Sequence, residues 1–175
     1  MKTIHFDLWH GTDWFLAKKI VSTNKWICKG DHDKYLGKGI YFSENSKFWA
    51  CTWSKNARRY KRPTAINCKA DVLENQVFDF SRDRDFRLFR ILKDKLIKEE
   101  KSGKNACSLR HGAIVDFICA VSKKKQFNLS NEIKVVKAYN RRAKKKYDPE
   151  YLSIEIEICV KDPAIIQIVK VEECN

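Results

Sequence analysis

Three stretches of this sequence carry side chains that can do chemistry. The first is Trp9-His10-Gly11-Thr12, an imidazole set between an indole and a glycine. The second is Leu36-Gly37-Lys38-Gly39-Ile40-Tyr41-Phe42, where two glycines open a turn that leads into an aromatic strand. The third is Leu152 to Val160, the cleanest alternation in the chain. Leu152, Ile154, Ile156, Ile158 and Val160 point one way, and Ser153, Glu155, Glu157 and Cys159 the other. Two carboxylates side by side on one strand face repel each other mildly unless a partner offsets them. Such a pair can stabilise positive charge as it develops on a substrate, or take a proton from an acceptor. Taken singly, His10 reads as a core histidine, Tyr41 as an ordinary strand aromatic and the glutamates as a solvated strand face.

Regular elements must position these residues. Ile4 to Trp9 reads as a first strand, and Thr12 or Asp13 can cap the helix that follows. A polar, glycine-containing loop runs from Thr23 to Lys38, and Gly39 to Ser43 is a short strand. Asn45 is expected to cap a second helix whose buried stripe is Phe48, Trp49, Thr52 and Trp53. Thr64 to Val72 and Gln76 to Phe80 read as strands. Asp83 to Lys101 reads as an amphipathic helix with Phe86, Phe89, Leu92 and Leu96 facing inward. Ser108 is expected to cap a helix through Ala120, Glu132 to Tyr139 is β-like, and Ile165 to Val171 makes a last strand. The pattern is that of a single α+β domain over residues 1–175, without repeats or a dividing linker.

With 175 residues, 43% of them apolar, the chain is long enough to bury a two-layer core. Nothing approaches the roughly 18 consecutive apolar residues of a membrane span, and no apolar leader follows the amino terminus. The seven cysteines are scattered with no CxxC pair, which suggests neither a zinc site nor a disulfide framework, so a reducing, cytoplasmic protein is expected. The net charge of +14 attracts polyanions. It is concentrated between Lys123 and Lys146, where ten Lys or Arg face the single acid Glu132.

The run Leu8 to Thr12, followed by Leu36 to Phe42, resembles the catalytic domain of poly(ADP-ribose) polymerases and the small bacterial ADP-ribosyltransferase toxins of the same His-Tyr-Glu class. The resemblance covers residues 8–53 and returns at 153–166, where Glu157-Ile158-Cys159-Val160-Lys161-Asp162-Pro163-Ala164 matches the strand opened by the family's catalytic glutamate. It implies an ADP-ribosyltransferase fold, two packed antiparallel-rich sheets around an NAD cleft with flanking helices. It implies NAD as co-substrate and no metal. His10 then matches the histidine that bonds the adenosine ribose, Gly11 the residue whose backbone grips the nicotinamide amide, and Tyr41 the ring that packs on nicotinamide. Glu157 matches the catalytic acid. Glu155 matches the acceptor-side residue of the Glu/Gln-x-Glu signature. Thr12 and Gly39 complete the implied NAD-binding set; of two missing family residues, one is replaced by Ser43 or the Gly11 backbone, and Trp53 either replaces the other or packs in the core against Phe48 and Trp49.

Those two departures are specific. Where the polymerases have an amide-binding serine and a second stacking tyrosine, ungapped alignment puts Trp49 and Thr52. Regulatory helices and DNA-reading zinc fingers are absent too, so a bare catalytic domain of toxin or anti-phage defence type is expected, with a neutralising inhibitor protein as an implied partner. The implied reaction is mono-ADP-ribosylation of a macromolecule with release of nicotinamide. Charge favours RNA or DNA as acceptor, docked on Lys123, Lys124, Lys125, Arg141, Arg142, Lys144, Lys145 and Lys146; a protein acceptor is the alternative. The cluster Arg58-Arg59-Tyr60-Lys61-Arg62 can complement a helix C-terminus or grip the NAD pyrophosphate. An NAD-dependent RNA 2′-phosphotransferase lacks matched phosphate-binding arginines here, and a non-catalytic NAD or nucleic-acid binding module is the remaining reading.

Overall fold

The computed structural model describes residues 1–26, 35–101, 110–124, 131–141 and 154–174. In chain order these form β1 (Thr3–Asp13), α1 (Trp14–Thr23), β2 (Ile40–Glu44), α2 (Lys47–Thr52) with a π-helical turn (Trp53–Ala57), β3 (Pro63–Leu73), β4 (Val77–Asp79), α3 (Asp83–Lys101), α4 (His111–Lys123), β5 (Val135–Arg141), β6 (Ile154–Val160) and β7 (Ile166–Glu173). The class is α+β, as the sequence predicts.

Local chemistry sets most boundaries. Asp13 caps α1 by accepting the Phe15 N–H at 3.0 Å. For α2 the cap is Ser46, whose Oγ accepts the Trp49 N–H at 3.3 Å, and not Asn45. Asn45 instead takes the left-handed conformation at φ 55°, which asparagine tolerates better than most residues. Two expected inward residues face solvent: Phe48 is 62% and Phe86 44% exposed. Helix α4 starts at His111, and Ser108, the expected cap, lies outside the described residues.

The strands form one sheet in the order β4-β5-β6-β2-β1-β3-β7, antiparallel except for the β4–β5 pair. This corrects the expectation of two packed sheets: β2 bonds to β6 on one side and β1 on the other, and so joins the halves. The sheet is nevertheless strongly curled. β3 and β4 stand five strand spacings apart, roughly 24 Å on a flat sheet, yet only Glu74–Gln76 connect them. Four extended residue steps reach about 14 Å, so the sheet must curl until its two halves face each other. The curl is filled by one apolar cluster that takes Phe6 and Leu8 from β1, Ile66 and Val72 from β3, Val77, Val135 and Ile158 from the other half, and Ala17 and Ile20 from α1.

The opposite sheet face carries the remaining helices in two groups. Phe89 and Leu92 of α3 and Ile114, Val115 and Ile118 of α4 pack on Phe78, Val136, Ala138 and Cys159. At the other end α2 packs on Ala65 through Ala50. Strand β2 lies between these two groups.

A disulfide joins Cys51 of α2 to Cys174 after β7, 123 residues away in sequence. It corrects the expectation that no cysteines pair. Cys68, Cys119 and Cys159 are free and buried, as small apolar side chains are. Among the described residues no helix is long and apolar enough to cross a membrane.

Candidate active site

The uncovered stretch of sheet between α2 and α4 forms a pocket of about 370 Å³, within the usual range for small-ligand sites. Its walls come from Trp9, His10 and Gly11 on β1, Tyr35 and Gly39 on the preceding turn, Tyr41 and Ser43 on β2, Ala50 on α2, Trp53 and Arg58, and Glu155 and Glu157 on β6.

The pocket opens where the sheet splits. β1 and β2 pair only at Leu8–Glu44 and Trp9–Ser43, while β1 stays fully paired to β3 as far as Asp13. Beyond the split the His10 side chain replaces the ladder: Nδ1 lies 2.8 Å from the Tyr41 carbonyl oxygen. A carbonyl only accepts, so Nδ1 carries the hydrogen, and in the neutral ring the acceptor lone pair is on Nε2. Trp26 and Phe42 pack against the imidazole with ring centroids 5.5 and 5.6 Å away.

Gly11 is needed for packing as well as for access. A Cβ there would stand 2.0 Å from the Ala50 carbonyl oxygen, so the missing side chain lets α2 lie directly on β1. Thr12 is buried in the β1–β3 ladder opposite Thr64 and is not part of the pocket wall.

Tyr41 is half-buried, with its hydroxyl turned toward the turn before β2. It donates to the Gly37 carbonyl at 2.8 Å and accepts the Leu36 N–H at 3.0 Å. Burial pushes this phenol far above its ordinary range, and the neighbouring Cys159 and Glu157 side chains act in the same direction. It is therefore a neutral ring that forms a wall, and not a proton carrier. Gly37 and Gly39 take positive φ of 74° and 151°, as a tight turn beside the pocket requires.

The carboxylates sit on β6 facing β2. Glu157 stands opposite Ser43 in the ladder and is half-buried. Glu155, two residues back on the same face, is 3% exposed and accepts the Ser43 hydroxyl at 3.3 Å. Ser43 thus places a hydroxyl on the wall against Glu155. Trp49 and Thr52, aligned with the two missing family residues, do not line the pocket; Trp49 is buried against Phe48. Trp53 does line it. The π-helical turn brings the exposed Arg58 back over the Trp53 ring, with the guanidinium 4.9 Å from the centroid.

Tyr35 is a pocket residue outside the set expected from the sequence. It lines the pocket and stacks on His111 of α4 at 3.9 Å and 15°, and His111 Nδ1 donates to the Tyr35 carbonyl at 2.7 Å. Burial raises its phenol, and the Glu157 carboxylate raises it further. No periodicity marks Tyr35; its only signal is that it directly precedes the glycine turn.

The basic stretch is only partly described. Lys125, Arg142, Lys144, Lys145 and Lys146 lie outside the described residues, and Arg141 ends β5. Lys124 is exposed, and Lys123 pairs with Glu132 at 3.0 Å. Two further lysines of the stretch are engaged within the fold, Lys134 with Asp162 at 3.2 Å and Lys137 with Glu44 at 2.7 Å.

No known family model matches this chain. It is similar to an uncharacterized protein of Methanocaldococcus jannaschii, 26% identical over 193 aligned positions that cover 95% of this chain and 87% of the relative.

Proposed function

We propose that this protein is an NAD-dependent mono-ADP-ribosyltransferase of the His-Tyr-Glu class, transferring ADP-ribose to a macromolecule with release of nicotinamide. One observation carries the reading. His10, Tyr41 and Glu157, matched to the family's functional residues from sequence alone, come from three different strands and line a single pocket.

The pocket's chemistry suits that reaction. NAD has a cationic pyridinium ring at one end and an anionic diphosphate further along. The pocket has aromatic walls, two carboxylates on its strand wall and an exposed guanidinium in its lining. Tyr41 provides a neutral face for the nicotinamide ring. As the bond from ribose C1′ to the nicotinamide nitrogen breaks, the leaving group keeps the electron pair, and positive charge builds on the ribose. Glu157 stabilises that charge in a half-buried setting, where a fixed carboxylate acts more strongly than in water. A lone pair of the acceptor then forms the new bond to C1′, and Glu155 is the candidate to take the acceptor's proton. Arg58 suits the diphosphate.

RNA or DNA is the favoured acceptor because of the +14 charge. A protein acceptor is the second reading, and one observation favours it: Lys123, Lys134 and Lys137 of the basic stretch are engaged in ion pairs within the fold. A toxin or defence role, with an inhibitor protein as partner, follows from the resemblance alone. The Cys51–Cys174 bond belongs to surroundings in which disulfides persist, which argues against the cytoplasmic setting expected from the sequence. Mass spectrometry after incubation with NAD and separate RNA, DNA and protein pools tests the proposal. Modified nucleic acid supports the first acceptor and modified protein the second; intact NAD in every pool refutes the enzyme.

A further inference from the structure

Side chains from elsewhere in the fold hold the turn before β2. Lys161, directly after β6, points its ammonium into the turn: Nζ donates to the Leu36 carbonyl at 2.6 Å, to the Lys38 carbonyl at 2.6 Å and to Asp116 Oδ1 at 3.1 Å. An ammonium has three hydrogens, and these contacts use all three. Asp116 of α4 accepts the Lys38 N–H with both oxygens, at 2.8 and 3.0 Å. Two of the three remaining backbone groups, the Leu36 N–H and the Gly37 carbonyl, are bonded by the Tyr41 hydroxyl. Five backbone groups of three consecutive residues are therefore fixed by one aspartate, one lysine and one tyrosine.

The packing shows that this is a built contact. The Lys161 side chain is 8% exposed and that of Asp116 19%. A Cβ on Gly37 would stand 2.3 Å from Asp116 Oδ1, and one on Gly39 would stand 2.5 Å from Cys159 Sγ, so Gly37 lets Asp116 close on the turn and Gly39 lets the turn lie against β6. The same helix also holds Tyr35, through His111. Neither Asp116 nor Lys161 touches the pocket.

We propose that Asp116 and Lys161 are positioning residues for the site: they tie the turn that orients Tyr41 and carries Tyr35 to the end of the strand that carries Glu155 and Glu157. The spacing between the tyrosine wall and the carboxylates is then set by this ion pair and not by the β2–β6 ladder alone. Its effect on turnover rests on the NAD reading above; its effect on the turn does not. A buried pair of this kind matters most when one partner is removed, because the other is left charged and unsatisfied.

The test compares Asp116→Asn, Asp116→Ala and Lys161→Met with the wild-type chain, by amide hydrogen exchange and by NAD kinetics. Exchange at Leu36 and Lys38 is expected to speed up by roughly tenfold or more, the size of one lost charge-assisted hydrogen bond, while the β1–β3 ladder exchanges as before. Asp116→Asn keeps the shape and an acceptor, so it is expected to lie between Asp116→Ala and the wild type. In turnover, kcat falls by roughly tenfold while KM changes less, because the ring and carboxylate are mispositioned and not removed. Unchanged exchange in the turn, or an increase spread equally over β1 and β3, overturns the positioning role. If Asp116→Ala fails to fold, Asp116→Asn decides by the same measurements. Should the wild type not consume NAD, the exchange result still decides the clamp, and only the enzymatic reading fails.

Discussion

The imidazole of His10 donates from Nδ1 to the Tyr41 carbonyl at 2.8 Å, bridging β1 and β2 where their ladder has stopped after two pairs. Strands that separate leave backbone groups to be satisfied, and here a side chain from one strand satisfies the other while holding the gap open. Truncation should therefore destabilise the fold as well as the site. His10→Ala is expected to lose about 1–2 kcal/mol, the range for a partly buried hydrogen bond left unmade, measured by chemical denaturation. A variant as stable as the wild type would show that the bridge contributes nothing.

Arg58 offers a way to separate the two ends of the pocket. Its guanidinium lies over Trp53 and is exposed, so its charge is partly screened. Arg58→Ala is expected to weaken NAD and ADP-ribose binding by roughly three- to tenfold and to leave nicotinamide binding unchanged. Titration calorimetry with the three ligands reads this directly. An equal loss for nicotinamide would place Arg58 outside any diphosphate contact.

The Cys51–Cys174 bond ties α2, and with it the Ala50 wall of the pocket, to the end of β7. A cross-link that closes so long a loop typically contributes about 2–4 kcal/mol. Cys174→Ser, or full reduction, is expected to lower the unfolding midpoint accordingly. Identical denaturation curves with and without a dithiol reductant would contradict the bond.

The free thiols make a complementary case. Burial pushes Cys68 and Cys159 up to about 12 and Cys119 up to about 11. Thiols so protonated and enclosed react slowly. Iodoacetamide at pH 8 is expected to leave all three unmodified in the native protein and to alkylate them after unfolding, as peptide mapping would show. Native labelling of any of the three would place it at an accessible surface.

His111 sets an acid-side limit. Burial holds its imidazole below the ordinary value of 6.5, opposed by the bond to the Tyr35 carbonyl and helped by Lys93. The folded state thus prefers the neutral ring. That contribution to stability is fully present above pH 6.5 and is lost as pH falls through the lowered folded value. Melting temperature is expected to fall over that window, and His111→Phe, which keeps an aromatic ring against Tyr35, to remove part of the slope. An unchanged slope would assign the acid sensitivity to other groups.

Much of the framework was legible because it depends on periodicity. The amphipathic repeat marked α3 at its observed bounds, and the alternation of β6 placed Glu155 and Glu157 on one face. His10, Gly11 and Tyr41 were legible by resemblance and Ser43 as a stand-in for a family residue that this chain lacks, and all four line the pocket. What escaped depends on long-range geometry. The curl that merges two expected sheets into one follows from strand order, which periodicity does not encode. Cys51 and Cys174 meet only because α2 folds back beside β7. Tyr35, Asp116 and Lys161 are joined by a turn that has no repeat of its own. Phe48 and Phe86 faced outward because a helical stripe is wider than the contact that covers it.

The most direct test of the central claim is nicotinamide release from NAD by the full chain in the presence of the acceptor pools, with Glu157→Gln alongside. The wild type is expected to release nicotinamide together with an ADP-ribosylated product. Glu157→Gln, folded by circular dichroism, is expected to lose roughly a hundredfold or more in rate, as for removal of a group aimed at developing charge. Failure of the wild type to bind or consume NAD, or full turnover by Glu157→Gln, would contradict the claim.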